Sequence, residues 1–512
     1  MREVKVLVHP GFTRGEVSPK LFGSFVEHIG RAVYGGIYEP GHPRADGDGF
    51  RSDVLELVRE LGVTRVRYPG GNFVSGFRWE DSVGPREDRP RRREMAWHST
   101  ETNEIGLHEF HAWTQKAGLE LLYALNLGTR DTEAALDLLD YANGAAGSAL
   151  ADQRVRNGAT EPFDIRTWYL GNEMDGPWQL GHLTATEYGR KAARTAIAMR
   201  QYDPTLDLVV CGSSHMRMKT FADWERAVLL EAYDQVDQIS CHAYYEELDS
   251  DLGSFLASGE HMDRYIQAVV TTADHVKTLK RSDKTILISF DEWNVWYLER
   301  ELKGEGLYRS EDIAGADWPV APRVAEDVYS VADAVVVGNL LMTIIKNAGR
   351  IGSASLSMLV NTMAPIRAEA GGPVWRQTSF YPYALTARHV SGRVLDARVS
   401  TDTYATAQHG DVPLVDVVTT HDEERQTLTV LVVNRSQTEA APIRVELAGF
   451  GSLVVSECWT VAEDDHHATN SAEAPDRVVP RANDTATVAS AGEVTLQVPP
   501  ISWTLLSMIA TT

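Results

Sequence analysis

Eight short apolar runs, at residues 21–29, 63–70, 119–127, 165–173, 206–213, 236–245, 285–294 and 351–360, alternate with longer stretches of helical period. The stretches at 53–61, 107–117, 185–201, 222–233, 262–280 and 328–348 repeat their apolar side chains at the spacing of an amphipathic helix. A strand that is apolar on both faces belongs in a parallel sheet covered by helices. Eight such units favour closure into a (β/α)8 barrel over an open doubly wound sheet, and no GxGxxG turn follows the first run. After Tyr381-Pro382-Tyr383 the pattern becomes short β segments separated by Gly, Asn, Asp and Pro turns. The expected fold class is α/β: a barrel over residues 11–383, followed by a β-sandwich of residues 384–512 that also takes in the N-terminal strand, residues 1–10.

Composition narrows the partners. With 72 acidic against 49 basic residues and a net charge of -23, neither nucleic acid nor an anionic membrane is expected. The one basic cluster, Arg89 to Arg93, lies among acids and reads as loop salt bridges. The N-terminus lacks the apolar core of a signal peptide, no apolar run has spanning length, and three cysteines without CxxC spacing suit a reducing compartment. A cytoplasmic location is expected, with neither metal nor cofactor.

Chemistry in such barrels gathers at the C-terminal ends of the strands. Glu173 closes the fourth run and Glu292 the seventh, 119 residues or three units of the barrel apart. The other run ends supply Glu27-His28, Pro69-Gly70-Gly71-Asn72, Asn126, Asn172, His242 and Tyr244. Two carboxylates about 5 Å apart are the equipment of a retaining glycosidase, one to protonate the leaving oxygen and one to attack the anomeric carbon. Amides and a phenol suit a polyhydroxylated ligand, and Trp178, Trp293 and Trp296 offer faces on which sugar rings stack.

Rival chemistries fit less well. Ser213-Ser214 lacks a GxSxG elbow, His108-Glu109-Phe110-His111 is one residue short of HExxH, and His466-His467 lies in a polar loop without partner ligands. The cysteines read as small buried apolar residues.

The motifs Gly23-Ser24-Phe25-Val26-Glu27-His28, Arg67-Tyr68-Pro69-Gly70-Gly71-Asn72, Leu170-Gly171-Asn172-Glu173-Met174-Asp175-Gly176-Pro177-Trp178 and Phe290-Asp291-Glu292-Trp293-Asn294-Val295-Trp296 stand in this order along the chain. In them the chain resembles the intracellular α-L-arabinofuranosidases of glycoside hydrolase family 51 over essentially its full length. The resemblance implies a retaining, exo-acting enzyme on arabinofuranosyl oligosaccharides, assembled as a homohexamer. It implies Glu173 as general acid/base, Glu292 as nucleophile, Asn172 on the sugar 2-hydroxyl, Glu27 and Asn72 on further hydroxyls, and Tyr244 orienting the nucleophile.

Two positions depart from the family pattern, Ala243 on the sixth strand and Met358 on the eighth, each in place of a glutamine. The loop at 298–319 departs too. Met358 is therefore expected to line the sugar pocket and alter the glycone, with a β-D-galactofuranoside or β-xyloside as alternatives. A catalytically silent carbohydrate-binding protein is the remaining alternative.

Overall fold

The computed structural model describes residues 2–298, 317–490 and 492–510; residues 299–316 of the divergent loop lie outside them. Eight parallel strands, Gly23–Phe25, Arg65–Tyr68, Glu120–Ala124, Thr167–Tyr169, Asp207–Val210, Gln238–Tyr245, Leu287–Val295 and Ile351–Leu356, close into a barrel in chain order. The eighth pairs with the first through Ser355 opposite Gly23 and Leu356 opposite Ser24. Seven lie within the apolar runs read from the sequence, and the seventh strand runs one residue past its own, to Val295.

Helices cover the barrel where the helical period predicts them, for example Leu107–Ala117 and Ser258–Lys280. The helix Val331–Lys346 starts at a capping box in which Ser330 Oγ accepts the Asp333 N–H (3.3 Å) and the Asp333 carboxylate accepts the Ser330 N–H (2.6 Å). It is buried on every face from Val331 to Ile345 because barrel strands lie on one side and sandwich strands on the other. Gly338 within it admits the Trp503 ring: a Cβ there would stand 2.4 Å from the indole. Two helices, Thr132–Asn143 and Ala149–Arg156, fill a stretch to which the sequence reading assigned no element.

The sandwich pairs a five-stranded with a seven-stranded sheet. The N-terminal strand Val4–Val8 alternates buried and exposed residues and sits inside the smaller sheet, parallel to Ala441–Leu447 and antiparallel to Arg398–Ser400. Two details differ from the expected division. A second N-terminal strand, Thr13–Glu16, pairs with Arg393–Leu395 in the larger sheet. The helix Phe380–His389 runs through the expected boundary at 383, because Pro382 falls in its first turn, where no backbone donor is needed.

A buried ionic cluster joins the two units. Asp416 of the sandwich accepts from Asn339 (2.8 Å) and pairs with Lys346, both on the helix Val331–Lys346, and with Arg435 (3.4 Å). Arg435 also reaches Glu260 (3.1 Å). Among the described residues no helix is long and apolar enough to cross a membrane. All three cysteines are buried and free.

Candidate active site

The C-terminal mouth of the barrel holds a connected set of charges centred on Arg67, on the second strand and fully buried. Its guanidinium donates to Glu292 Oε1 (3.0 Å) and Asn172 Oδ1 (2.6 Å), and its Nε stands 3.3 Å from Asp291 Oδ2. The rings of Tyr169 and Phe25 lie 4.9 and 5.5 Å from its charge centre. Burial penalises this cation, yet the facing carboxylates of Asp291 and Glu292 raise its pKa above that of a free guanidinium.

Asp291 and Glu292 are consecutive, so a regular strand would send them to opposite faces. The seventh strand escapes that rule through a register shift: Ser240 pairs with Ser289, whereas His242 pairs with Glu292. The extra residue lets both carboxylates reach Arg67 and His242. His242 places Nδ1 2.9 Å from Glu173 Oε1 and 3.5 Å from Glu292 Oε2, with Nε2 3.4 Å from Asp291 Oδ2. Both ring nitrogens thus face carboxylates, which calls for the doubly protonated imidazolium. Burial opposes that charge, but Glu292 and Asp291 hold the His242 pKa well above its ordinary value.

Glu292 receives a further hydrogen bond from the Tyr244 hydroxyl (2.8 Å), itself 3.0 Å from Ser357 Oγ. Burial raises the Glu292 carboxyl above its ordinary range and the Glu173 charge adds to the rise, while His242 and Arg67 act against it. Glu173 sits in the left-handed region at φ 43° and accepts from the Trp178 indole N–H (2.8 Å). One atom each of Glu173, His242 and Glu292 fall within 4.8 Å of one another. Arg67 and His242 carry two positive charges against the three carboxyls of Asp291, Glu173 and Glu292. The cluster is neutral when one carboxyl keeps a proton.

Glu27 lies in the same mouth. It accepts from the Phe73 amide (2.8 Å) and the Trp97 indole (2.6 Å), and burial pushes its pKa well above the ordinary carboxylate value despite those donors. Its seat depends on Gly71, at φ 63°, where a Cβ would come within 1.9 Å of Glu27 Oε2. Asn72 Oδ1 faces Asn172 Nδ2 at 3.4 Å.

The structure thus brings together Glu27, Asn72, Asn172, Glu173, Tyr244 and Glu292, with Trp178 half exposed at the rim and parallel to His215 (centroids 6.3 Å apart). Trp296 stands edge-on to Tyr244 at 5.0 Å. Met358 is fully buried in an apolar cluster with Phe25, Ile29, Val324 and Met363, beneath Tyr244 and Trp296. Trp293, expected on the rim, is fully buried in the main core and stacks on Tyr383. Asn126 is spent on the Phe77 carbonyl (2.8 Å) and the Thr129 turn. The basic cluster forms loop ion pairs as expected, through Arg89 to Glu109 and Arg92 to Asp81.

Arg67 and Trp97 received no role from the sequence. An arginine inside a four-residue strand that is buried throughout was the available signal for the first. Trp97 reaches Glu27 from the hairpin Arg92–Glu94 and Ser99–Glu101, a long-range contact that no local pattern encodes.

Comparison with known proteins identifies the family. A family model described as the α-L-arabinofuranosidase 1 domain matches residues 57–267, and one described as the α-L-arabinofuranosidase C-terminal domain matches residues 291–502. The chain is 52% identical to an intracellular exo-α-(1→5)-L-arabinofuranosidase of Streptomyces lividans, over 98% of this chain and 75% of that one. It is also 52% identical to an exo-α-(1→6)-L-arabinofuranosidase of Bifidobacterium longum, over 98% and 97%. The solved structure of a family 51 α-L-arabinofuranosidase from Bifidobacterium longum superposes with a TM-score of 0.96 at 47% identity, covering 99% of this chain and all of that one. The chain belongs to the α-L-arabinofuranosidases of glycoside hydrolase family 51.

Proposed function

We propose that the protein is a retaining exo-α-L-arabinofuranosidase in which Glu173 is the general acid/base and Glu292 the nucleophile. The observation that carries the reading is the spacing of the two carboxyls: their facing oxygens lie within 4.8 Å of each other. Retaining glycosidases hold the pair about 5–5.5 Å apart, whereas inverting ones leave about 6.5–9.5 Å for a water.

In the first step a Glu292 oxygen bonds to the anomeric carbon while the glycosidic C–O bond breaks, and the Glu173 proton passes to the leaving oxygen. Arg67, Tyr244 and His242 hold Glu292 ionised and aimed. In the second step Glu173 takes a proton from water, the water oxygen bonds to the anomeric carbon, and the Glu292 ester bond breaks. Asn172 meets the 2-hydroxyl of the sugar, Glu27 and Asn72 meet further hydroxyls, and Trp178 and Trp296 supply ring faces. The barrel is the catalytic unit. The chain works as a homohexamer in the cytoplasm on arabinose-containing oligosaccharides; the word intracellular in the name of the Streptomyces relative supports the location.

The test is a panel of nitrophenyl α-L-arabinofuranoside, β-D-galactofuranoside and β-xyloside, with (1→5)- and (1→6)-linked arabinobioses because relatives are named for both linkages. Dominant turnover of the arabinofuranosides, with the α-anomer released first by NMR, supports the reading. A preference for another glycone, or first release of the β-anomer, overturns it. Sedimentation of the purified protein decides the hexamer.

A further inference from the structure

A second cavity, of about 230 Å3, opens beside the catalytic cluster and is walled by both structural units. Tyr244 and Ala243 line its catalytic side. His215 joins it to the acid/base, since its ring lies parallel to Trp178 and the Trp178 indole donates to Glu173. Farther out come Tyr245 and His261, whose Nδ1 is 3.2 Å from the Tyr245 hydroxyl. The far wall is Gln408-His409, at the turn of a sandwich hairpin formed by Thr403–Thr406 and Gly410–Pro413.

That hairpin is fixed to the barrel. Tyr404 donates to the Gly253 carbonyl (2.8 Å), the Gln408 amide to Ser254 Oγ (3.2 Å), and Arg264 to the His409 carbonyl (2.9 Å). The His261 and His409 rings then stand as neighbours in the lining, 5.9 Å apart.

We propose that this cavity is a remote leaving-group subsite that takes one neutral sugar ring of an oligosaccharide, beyond the bond being broken. The inference rests on the assignment of Glu173 as the acid, because the leaving group lies on the side of the residue that protonates it. Sites for whole small molecules run to about 300–1,000 Å3, so the volume suits a single ring.

The lining suits hydroxyls. Burial lowers the pKa of His215 and His409, and it lowers that of His261 to about 4 with help from the His409 and Arg217 charges, so all three rings are neutral near pH 7. A neutral imidazole offers one donor and one acceptor, and each sugar hydroxyl can both donate and accept. Arg217 and Glu246 both line the cavity, so it carries no single sign of charge that would select an anion.

The test compares kcat/KM for a series of linear α-linked arabino-oligosaccharides with that for 4-nitrophenyl α-L-arabinofuranoside, whose aglycone carries no sugar hydroxyl. His409→Ala and Tyr245→Phe change the two walls separately. Any misfolded fraction cancels in the ratio of the two substrates measured on one preparation. The wild-type ratio is expected to rise with chain length, and each variant to lower it for the longer substrates by about fivefold, the equivalent of one hydrogen bond. A wild-type ratio flat with length, or ratios within about twofold of wild type in both variants, overturns the subsite. If the wild type hydrolyses no arabinofuranoside at all, it is the underlying activity that fails.

Discussion

Tyr244→Phe removes one oxygen and leaves the ring edge-on to Trp296, so it deletes the hydrogen bond to the proposed nucleophile together with the contact to Ser357 Oγ. In the wild type the Tyr244 hydroxyl donates to Glu292 Oε2 at 2.8 Å, while Arg67 holds Oε1 at 3.0 Å and His242 stands 3.5 Å from Oε2. A hydrogen bond to a charged group contributes about 1.5–3 kcal/mol. Its loss leaves a buried carboxyl with weaker support for its charge, and the Glu292 pKa, already raised by burial, rises further. At about 1.36 kcal/mol per unit the rise is roughly one to two pH units. The acid limb of kcat/KM, which reports ionisation of the free-enzyme nucleophile, moves to higher pH by that amount. At the pH optimum kcat/KM falls about 10- to 100-fold. The assay is a pH series with nitrophenyl α-L-arabinofuranoside, with thermal unfolding as the control for packing. An acid limb that stays within about 0.3 units of wild type would refute the role given to Tyr244.

Two further outcomes follow from the same geometry. Met358→Gln buries an amide among Phe25, Ile29, Val324 and Met363, so it is expected to cost about 1–3 kcal/mol of stability in chemical denaturation and to leave the arabinofuranoside to galactofuranoside ratio within about threefold; a tenfold or larger gain for arabinofuranoside would place position 358 in the sugar pocket. Burial opposes ionisation of Asp416, but Lys346 and Arg435 lower its pKa to about 2. A carboxyl depressed on folding contributes stability above its unfolded pKa of about 3.9 and loses it as pH falls through the folded value, here about 2 kcal/mol between pH 4 and 2. Asp416→Asn is expected to flatten the stability profile in that window, as measured by urea unfolding.

The barrel was legible because apolar strands and amphipathic helices alternate with little interruption, and every barrel strand coincides with an apolar run to within one residue. Glu173 and Glu292 were legible as acids closing such runs. Arg67 was harder to assign, because its partners Asn172, Asp291 and Glu292 stand more than a hundred residues away and meet it only when the barrel closes. The register shift that turns both Asp291 and Glu292 inward is a property of strand pairing, not of either sequence alone. Burial of Trp293 has the same origin: a tryptophan next to a rim acid looks accessible until the opposite face of its strand is seen to meet the helix layer. The boundary at 383 was read from the change of pattern after Tyr381-Pro382-Tyr383, whereas the helix Phe380–His389 runs on past it with Pro382 in its first turn.

The division of labour between the two glutamates is the central claim, and azide rescue tests it most directly. Glu173→Ala keeps the nucleophile, so with a good leaving group it still forms the covalent intermediate, and azide attacking in place of water gives a glycosyl azide of retained configuration. Glu292→Ala loses the intermediate, and azide entering the vacated space displaces the leaving group directly to give the inverted azide. NMR of the isolated azides reads the outcome: retention from Glu173→Ala with inversion from Glu292→Ala is the predicted result, and the opposite pairing would contradict the assignment.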